Sequence, residues 1–332
     1  MSVSLGTTAI PSNNPDRTLA SKSLMRAPAN SEMGTFAQEA APAEEPRCSP
    51  MSSGQLRVWF VEQLAIGAAV NNLSFGVQLS GELNLSALDL SLKVVVGRHE
   101  ALTTTFDTRD GTPLQLLGSA RPPTTQLIDV SGRAGSDLAQ EAYALACQEV
   151  NQPFDLRRGP LVRVVLLRLA PQTHIMLAIL HHIICDGWSL GLFANELATC
   201  YAAFCRGTSL VLKPVRLQYS DYVNWQRKWL VSQEFERQLS YWIHTLDGAN
   251  MLLDLSANSI LPTEPSFAGF RQTRRLPEDL VHQLKSAAKR YEATPFALLL
   301  AVSKYYSTNT ATRWTSSSAY PSPVVTASSW RK

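Results

Sequence analysis

The sequence predicts a mixed α/β fold, and three observations carry that prediction. Leu73, Phe75, Val77 and Leu79 alternate along one face of an expected strand. Leu161–Leu169 and His174–Leu180 are apolar runs separated by a turn at Ala170–Thr173, as expected of paired buried strands. Leu190, Phe193, Leu197, Tyr201 and Phe204 recur at spacings of three and four, which puts one apolar stripe on a helix beginning near Ser189.

The elements follow in order. Residues 1–49 are rich in Ala, Pro, Ser and Glu without an apolar period, and they lack the apolar stretch of a signal peptide. They are expected to form a disordered leader or linker. After the strand at 73–79, Leu88, Leu92 and Val95 mark a helix that ends before Arg98. The two apolar runs and the helix from Ser189 come next. Pro277 stands at the start of a helix marked by Leu280, Leu284 and Ala288, and Pro295 opens another.

Composition bounds the function. A chain of 332 residues, 45% hydrophobic and 17% charged, can bury one large core or two modest ones. A net charge of +3 is too small to point to nucleic acid or an anionic membrane surface. No apolar run approaches the roughly 18 residues that cross a bilayer. The five cysteines form no disulfide framework, and no Cys or His spacing resembles a metal site. A reducing cytoplasm is the simplest compartment. His174, His244 and His282 are isolated. Trp225, Trp229 and Trp242, with Tyr222, fall at helix-compatible intervals and read as core or cavity wall rather than as a stacking platform for bases.

The chemistry concentrates in His181-His182-Ile183-Ile184-Cys185-Asp186-Gly187-Trp188-Ser189, between the second apolar run and the helix. A loop in that position can hold a side chain rigidly while it faces a cavity. An imidazole titrates close to neutral pH, so it can act as a base toward an attacking amine or hydroxyl. An aspartate four residues after His182 can order a turn or pair with a cation, and a glycine can take positive φ and let a backbone approach closely. The pattern reads as an acyl-transfer site.

This motif resembles the H-H-x-x-x-D-G hallmark of the condensation domains of nonribosomal peptide synthetases. Gln55-Leu56-Arg57-Val58-Trp59-Phe60-Val61-Glu62-Gln63-Leu64 is similar to the family's opening Q-x-R-L-W-F-x-x-Q-L, and Arg98-His99-Glu100-Ala101-Leu102-Thr103-Thr104-Thr105-Phe106 to its R-H-E-x-L-R-T-x-F. Pro153-Phe154-Asp155-Leu156 and Gly159-Pro160-Leu161 resemble its P-F-D-L and G-P-L. Tyr219-Ser220-Asp221-Tyr222-Val223-Asn224-Trp225-Gln226 resembles Y-x-D-[FY]-x-x-W-Q, and Thr294-Pro295-Phe296-Ala297-Leu298-Leu299-Leu300-Ala301 resembles T-x-F-x-x-L-L-A. These segments stand in family order from about residue 50 to 302.

The resemblance implies a chloramphenicol-acetyltransferase-like fold of two lobes with a tunnel between them, the first lobe complete at about 50–225 and the second partial at about 226–302. It implies amide bond formation between an acyl or peptidyl thioester donor and an aminoacyl acceptor. Both substrates would ride on phosphopantetheine arms of upstream and downstream peptidyl carrier domains, with an adenylation domain as a further partner and no bound cofactor or metal. His182 would be the catalytic histidine that positions or deprotonates the acceptor amine. Asp186 would be structural, paired with Arg98, and Gly187 would lie beside the reacting carbonyl. His181, Trp188 and Ser189 would support them, and His99 would order a helix end. Thr103 departs from the family's second arginine, so any ion pair of that arginine is absent here.

Residues 303–332 do not continue the pattern. The helix from Thr294 should remain apolar past Val302, yet Ser303-Lys304-Tyr305-Tyr306 leads into a Ser/Thr-rich tail. A back-translation read one base out of register gives D-I-V-V-G-V-P-I-A-G-R, which resembles the family's next segment. Part of it is forced, because tryptophan has a single codon and Trp314 followed by Thr315 must then yield aspartate. The plain alternative is a disordered terminus; a lost nucleotide near Val302 is expected instead, and with it a truncated second lobe and an inactive chain. Two other readings stand beside this one: a related acyltransferase or epimerisation domain, and a non-catalytic remnant that only docks carrier proteins.

Overall fold

The computed structural model describes residues 2–8, 47–65, 67–132, 138–249 and 274–312. It divides into two compact units, residues 1–237 and 238–332.

In the first unit, the strand order among the described residues is β1 (Ser2–Thr8), β3 (Asn72–Ser80), β8 (Thr173–His181), β7 (Val162–Ala170) and β6 (Thr125–Asp129). All neighbours run antiparallel except β6 and β7. A second sheet joins β2 (Arg47–Pro50), β5 (Thr112–Leu117) and β4 (Thr105–Arg109). The helices of this unit are α1 (Ser53–Leu64), α2 (Leu85–Arg98), α3 (Leu138–Val150), α4 (Gly187–Arg206) and α5 (Tyr219–Leu230).

The apolar runs of β7 and β8 follow from coverage of both faces of the sheet. On one face Val164, Leu166, Met176, Ala178 and Leu180 pack with Phe75 and Val77 of β3, Leu88, Leu92 and Val95 of α2, and Phe193 and Leu197 of α4. On the other, Val165, Leu167, Leu177 and Ile179 meet Ala142 and Ala146 of α3. The register pairs Val164 with Ala178 and Val165 with Leu177. Burying an aliphatic side chain fully stabilises the fold by about 1.5–3 kcal/mol. This double-sided core therefore makes β8 a rigid support for the histidines at its end.

Local caps set the helix ends. Ser52 and Gln55 form a reciprocal capping box on α1. Asn84 caps α2 by accepting from the Ala87 N–H. That helix runs through Arg98 rather than stopping before it, with His99 as its C-cap. Gly207 ends α4 at φ 63°, the left-handed position where a glycine costs least.

Ser2–Thr8 fall within the segment expected to be disordered, yet they form an antiparallel strand with β3. The free edge of β3 offers N–H and C=O groups that another strand can satisfy. The rest of the expected leader up to residue 46 lies outside the described residues. Trp225 of α5 is 57% exposed and Trp242 is 55% exposed, so neither belongs to the core, one of the two places expected for them. Tyr219, Tyr222, Trp225 and Trp229 instead form a ladder of successive ring contacts along α5.

The boundary between the units falls inside α6 (Gln233–Leu246). The second unit holds α7 (Glu278–Arg290), which starts just after Pro277 as expected, and α8 (Pro295–Thr312). The backbone of α8 continues ten residues past Val302, because 303–312 contain neither glycine nor proline and Ser, Thr and Asn are only mildly unfavourable in a helix. Residues 313–332 lie outside the described residues. Among the described residues, no helix is long and apolar enough to cross a membrane.

Candidate active site

β8 delivers His181 and His182 to a tight turn that leads into α4. The main-chain N–H of His182 donates to the Asn71 carbonyl at 2.8 Å, and that of Ile184 donates to His181 O at 3.1 Å. The two side chains then part. His181 is 1% exposed, with Nδ1 accepting from the Ile183 N–H at 3.1 Å and Nε2 3.3 Å from Glu62 Oε2. His182 is exposed and lines a cleft of about 560 Å³.

The chemistry of His182 follows from one contact. Its Nδ1 lies 2.8 Å from the Cys185 carbonyl oxygen, and a carbonyl can only accept. The neutral ring therefore carries its proton on Nδ1 and leaves Nε2 with a lone pair, the arrangement of a general base held in one tautomer. Arg57, His99, Asp186, Leu192 and Tyr222 line the same cleft.

Asp186 does not pair with Arg98. It caps α4, with Oδ1 accepting from the Ser189 N–H at 2.8 Å and from Ser189 Oγ at 2.7 Å. These two bonds hold its carboxyl below the usual 3.8. The physical reason is proximity: an N-cap aspartate finds orphan amide donors three residues on, without a distant cation. Arg98 binds Glu196 of α4 instead, through Nε at 3.2 Å and Nη2 at 3.3 Å, and also donates to the Lys213 carbonyl at 2.7 Å. His99 reaches the same glutamate at 2.8 Å. Burial alone would raise the Glu196 carboxyl, but the Arg98 and His99 contacts outweigh it and hold the group below its usual 4.5.

Gly187 and Trp188 open α4 outside the cleft lining, and Trp188 is 87% exposed. Gly187 does not take positive φ, and a Cβ built there meets nothing within 4 Å. Its place in the motif is thus not explained by local sterics of this chain. Ser189 does line the cleft. Burial, with Asp186 adding to it, pushes the Cys185 thiol up to about 12, so Cys185 contributes its carbonyl rather than its sulfur. Among the described residues no three His, Cys, Asp or Glu side chains converge as a metal site would require.

Sequence reasoning missed Glu62, Asn71 and Glu196. No spacing signals Glu62: its burial beside Gln55 on α1 shows only in the folded chain.

The condensation-domain family model matches residues 47–307. The chain is 39% identical over 252 residues to one component of the linear gramicidin synthase of Brevibacillus parabrevis, an alignment that covers 76% of this chain and 5% of that protein. It is 34% identical over 254 residues to phosphinothricin tripeptide synthetase PhsC of Streptomyces viridochromogenes, over 76% of this chain and 23% of that one. This chain thus spans a small fraction of these relatives. The first condensation domain of the calcium-dependent antibiotic synthetase, solved with a substrate analogue, shares the fold at a TM-score of 0.63 and 23% identity, over 80% of this chain and 62% of that one. The starter condensation domain of rhizomide synthetase RzmA does so at a TM-score of 0.58 and 22% identity, over 63% and 50%. With the histidine turn, the cleft beside it and a family match spanning most of its length, this chain belongs to the condensation-domain family.

Proposed function

We propose that this domain forms an amide bond in nonribosomal peptide assembly, with His182 as the base. The observation that carries the reading is the His182 ring itself, fixed through Nδ1 on the Cys185 carbonyl while it lines the cleft. The acceptor amine attacks the donor thioester carbonyl, forming the C–N bond. His182 Nε2 accepts the proton that the amine loses and returns it to sulfur as the C–S bond breaks, so the donor's thiol leaves protonated and the ring is neutral again. Both reactants arrive on phosphopantetheine arms of upstream and downstream carrier proteins, a reading supported by relatives that are peptide synthetases. The condensation domain occupies residues 50–302. A reducing cytoplasm is the compartment that goes with this reading.

The same reading takes residues 303–332 as read out of frame. Supporting it are the loss of apolar character after Val302 and the shifted-frame segment D-I-V-V-G. A tail in the wrong frame cannot supply the wall that follows in the family, and a misplacement of about 1 Å costs on the order of 100-fold in rate. The 332-residue chain is expected to show no turnover, whereas the frame-restored synthetase joins an acyl-carrier thioester to an aminoacyl carrier. Sequencing the locus across the Val302 and Ser303 codons, followed by a product assay on both proteins, tests this. Turnover by the 332-residue chain, or an intact frame at that point, contradicts the frame assignment. Absence of amide product from the restored protein contradicts the function.

A further inference from the structure

We propose that Glu62 is a positioning residue for His182: one of its carboxylate oxygens clamps His181 and Asn71, the two groups that flank the His182 backbone. The inference rests on the reading of His182 as the base, but its geometry belongs to other residues.

Glu62 Oε2 lies 2.7 Å from Asn71 Nδ2 and 3.3 Å from His181 Nε2. The Asn71 amide is held there while its main-chain carbonyl accepts the His182 N–H at 2.8 Å. Asn71 is therefore fixed at both ends, by Glu62 on one side and by the histidine it supports on the other. His181 is fixed as firmly. Its Nδ1 accepts the Ile183 N–H, so its proton sits on Nε2 and that N–H donates to Glu62. Phe154 packs edge-on against the ring, with centroids 6.1 Å apart.

The side chains of His181 and Glu62 are only 1% and 11% exposed, so water is poorly placed to replace a lost partner. Without the carboxylate, the His181 Nε2–H loses its acceptor in a buried site and the Asn71 amide loses its acceptor in a partly buried one. The His181 Nδ1 is held by the Ile183 N–H, so the ring can find its Nε2–H a new acceptor only by rotating, which breaks the bond to the Ile183 N–H. That bond begins the turn whose Cys185 carbonyl fixes the proton of His182. The clamp thus runs from α1 to the tautomer of the base, through three main-chain groups of one loop.

The test is 15N NMR of the histidine side chains in the full 332-residue chain, which reads tautomers whether or not the chain turns over. The unaltered protein is expected to show His181 protonated on Nε2 and His182 on Nδ1. Glu62→Leu is expected to lower the ratio of Nδ1–H to Nε2–H at His182 about fivefold. Glu62→Gln, whose amide oxygen can accept both donors, is expected to keep it within about twofold. A merely structural glutamate would change unfolding stability in both variants and leave that ratio alone. If Glu62→Leu does not fold, Asn71→Ala removes one donor to the clamp and is expected to lower the same ratio. His181 protonated on Nδ1 in the unaltered chain, or an unchanged His182 ratio in every folded variant, overturns the proposal. A correct set of tautomers in a protein whose restored synthetase makes no amide overturns the proposed function and leaves the clamp standing.

Discussion

Arg98 of α2 and Glu196 of α4 form a two-point ion pair, at 3.2 and 3.3 Å, that ties together the two helices covering one face of the main sheet. His99 binds the same carboxylate, so the end of α2 is anchored twice where the cleft wall begins. The pair is 19% and 14% exposed, which places it between a surface bridge and a buried one.

Removing its carboxylate should therefore cost more than a surface contact. Glu196→Ala is expected to destabilise the chain by about 1–3 kcal/mol in urea unfolding. The sign of its pH dependence follows from the depressed folded value. The carboxylate's contribution is present above its ordinary 4.5 and is lost as pH falls through the lower folded value. Stability measured at pH 7 and again near the lower end should fall in the parent chain, and Glu196→Gln should fall by less.

Asp186 offers a contrast, because its partners are local. Asp186→Ala is expected to cost about 1 kcal/mol, the size of a lost N-cap, and Asp186→Ser or Asp186→Asn should recover most of it. In a double-mutant cycle with Arg98→Ala, the two losses should add to within about 0.5 kcal/mol. Coupling well above that would restore the Asp186–Arg98 pairing.

The Cys185 thiol, pushed up to about 12 by burial, should resist alkylation at pH 8. Exposed Cys48 should react under the same conditions, and peptide mapping after iodoacetamide separates the two. Labelling of Cys185 at a rate like that of Cys48 would mean that the turn carrying His182 opens readily.

Gly187→Ala should fold at least as well as the parent, with a gain of about 0.5–1 kcal/mol, because φ is not positive there and the added Cβ meets open space. If the restored synthetase loses activity with this variant while stability holds, the glycine is required by the substrate rather than by the fold.

Much of this was legible in the sequence for local reasons. β7 and β8 showed as apolar runs because both faces are covered, and α4 showed as a stripe because one face is. The histidine turn showed because its residues are contiguous. What remained hidden was non-local or ambiguous. Glu62 meets His181 only after α1 packs near the end of β8, and no spacing encodes that meeting. Arg98 reaches Glu196 rather than the expected Asp186, and periodicity cannot say which acidic side chain of α4 turns toward α2. Ser2–Thr8 carry no period strong enough to announce a strand, since the unpaired edge of β3 supplies the reason to pair.

The central claim is that His182 is the base of an amide-forming site, and a single-turnover transfer assay tests it most directly. A frame-restored synthetase would be charged with a labelled acyl donor on one carrier and an aminoacyl acceptor on the next, and His182→Ala compared with the parent. His182 is exposed, so its loss should leave stability within about 0.5 kcal/mol. The account predicts a fall in transfer rate of about 100-fold or more, within the range that general base catalysis supplies. Equal rates in the two proteins would contradict it.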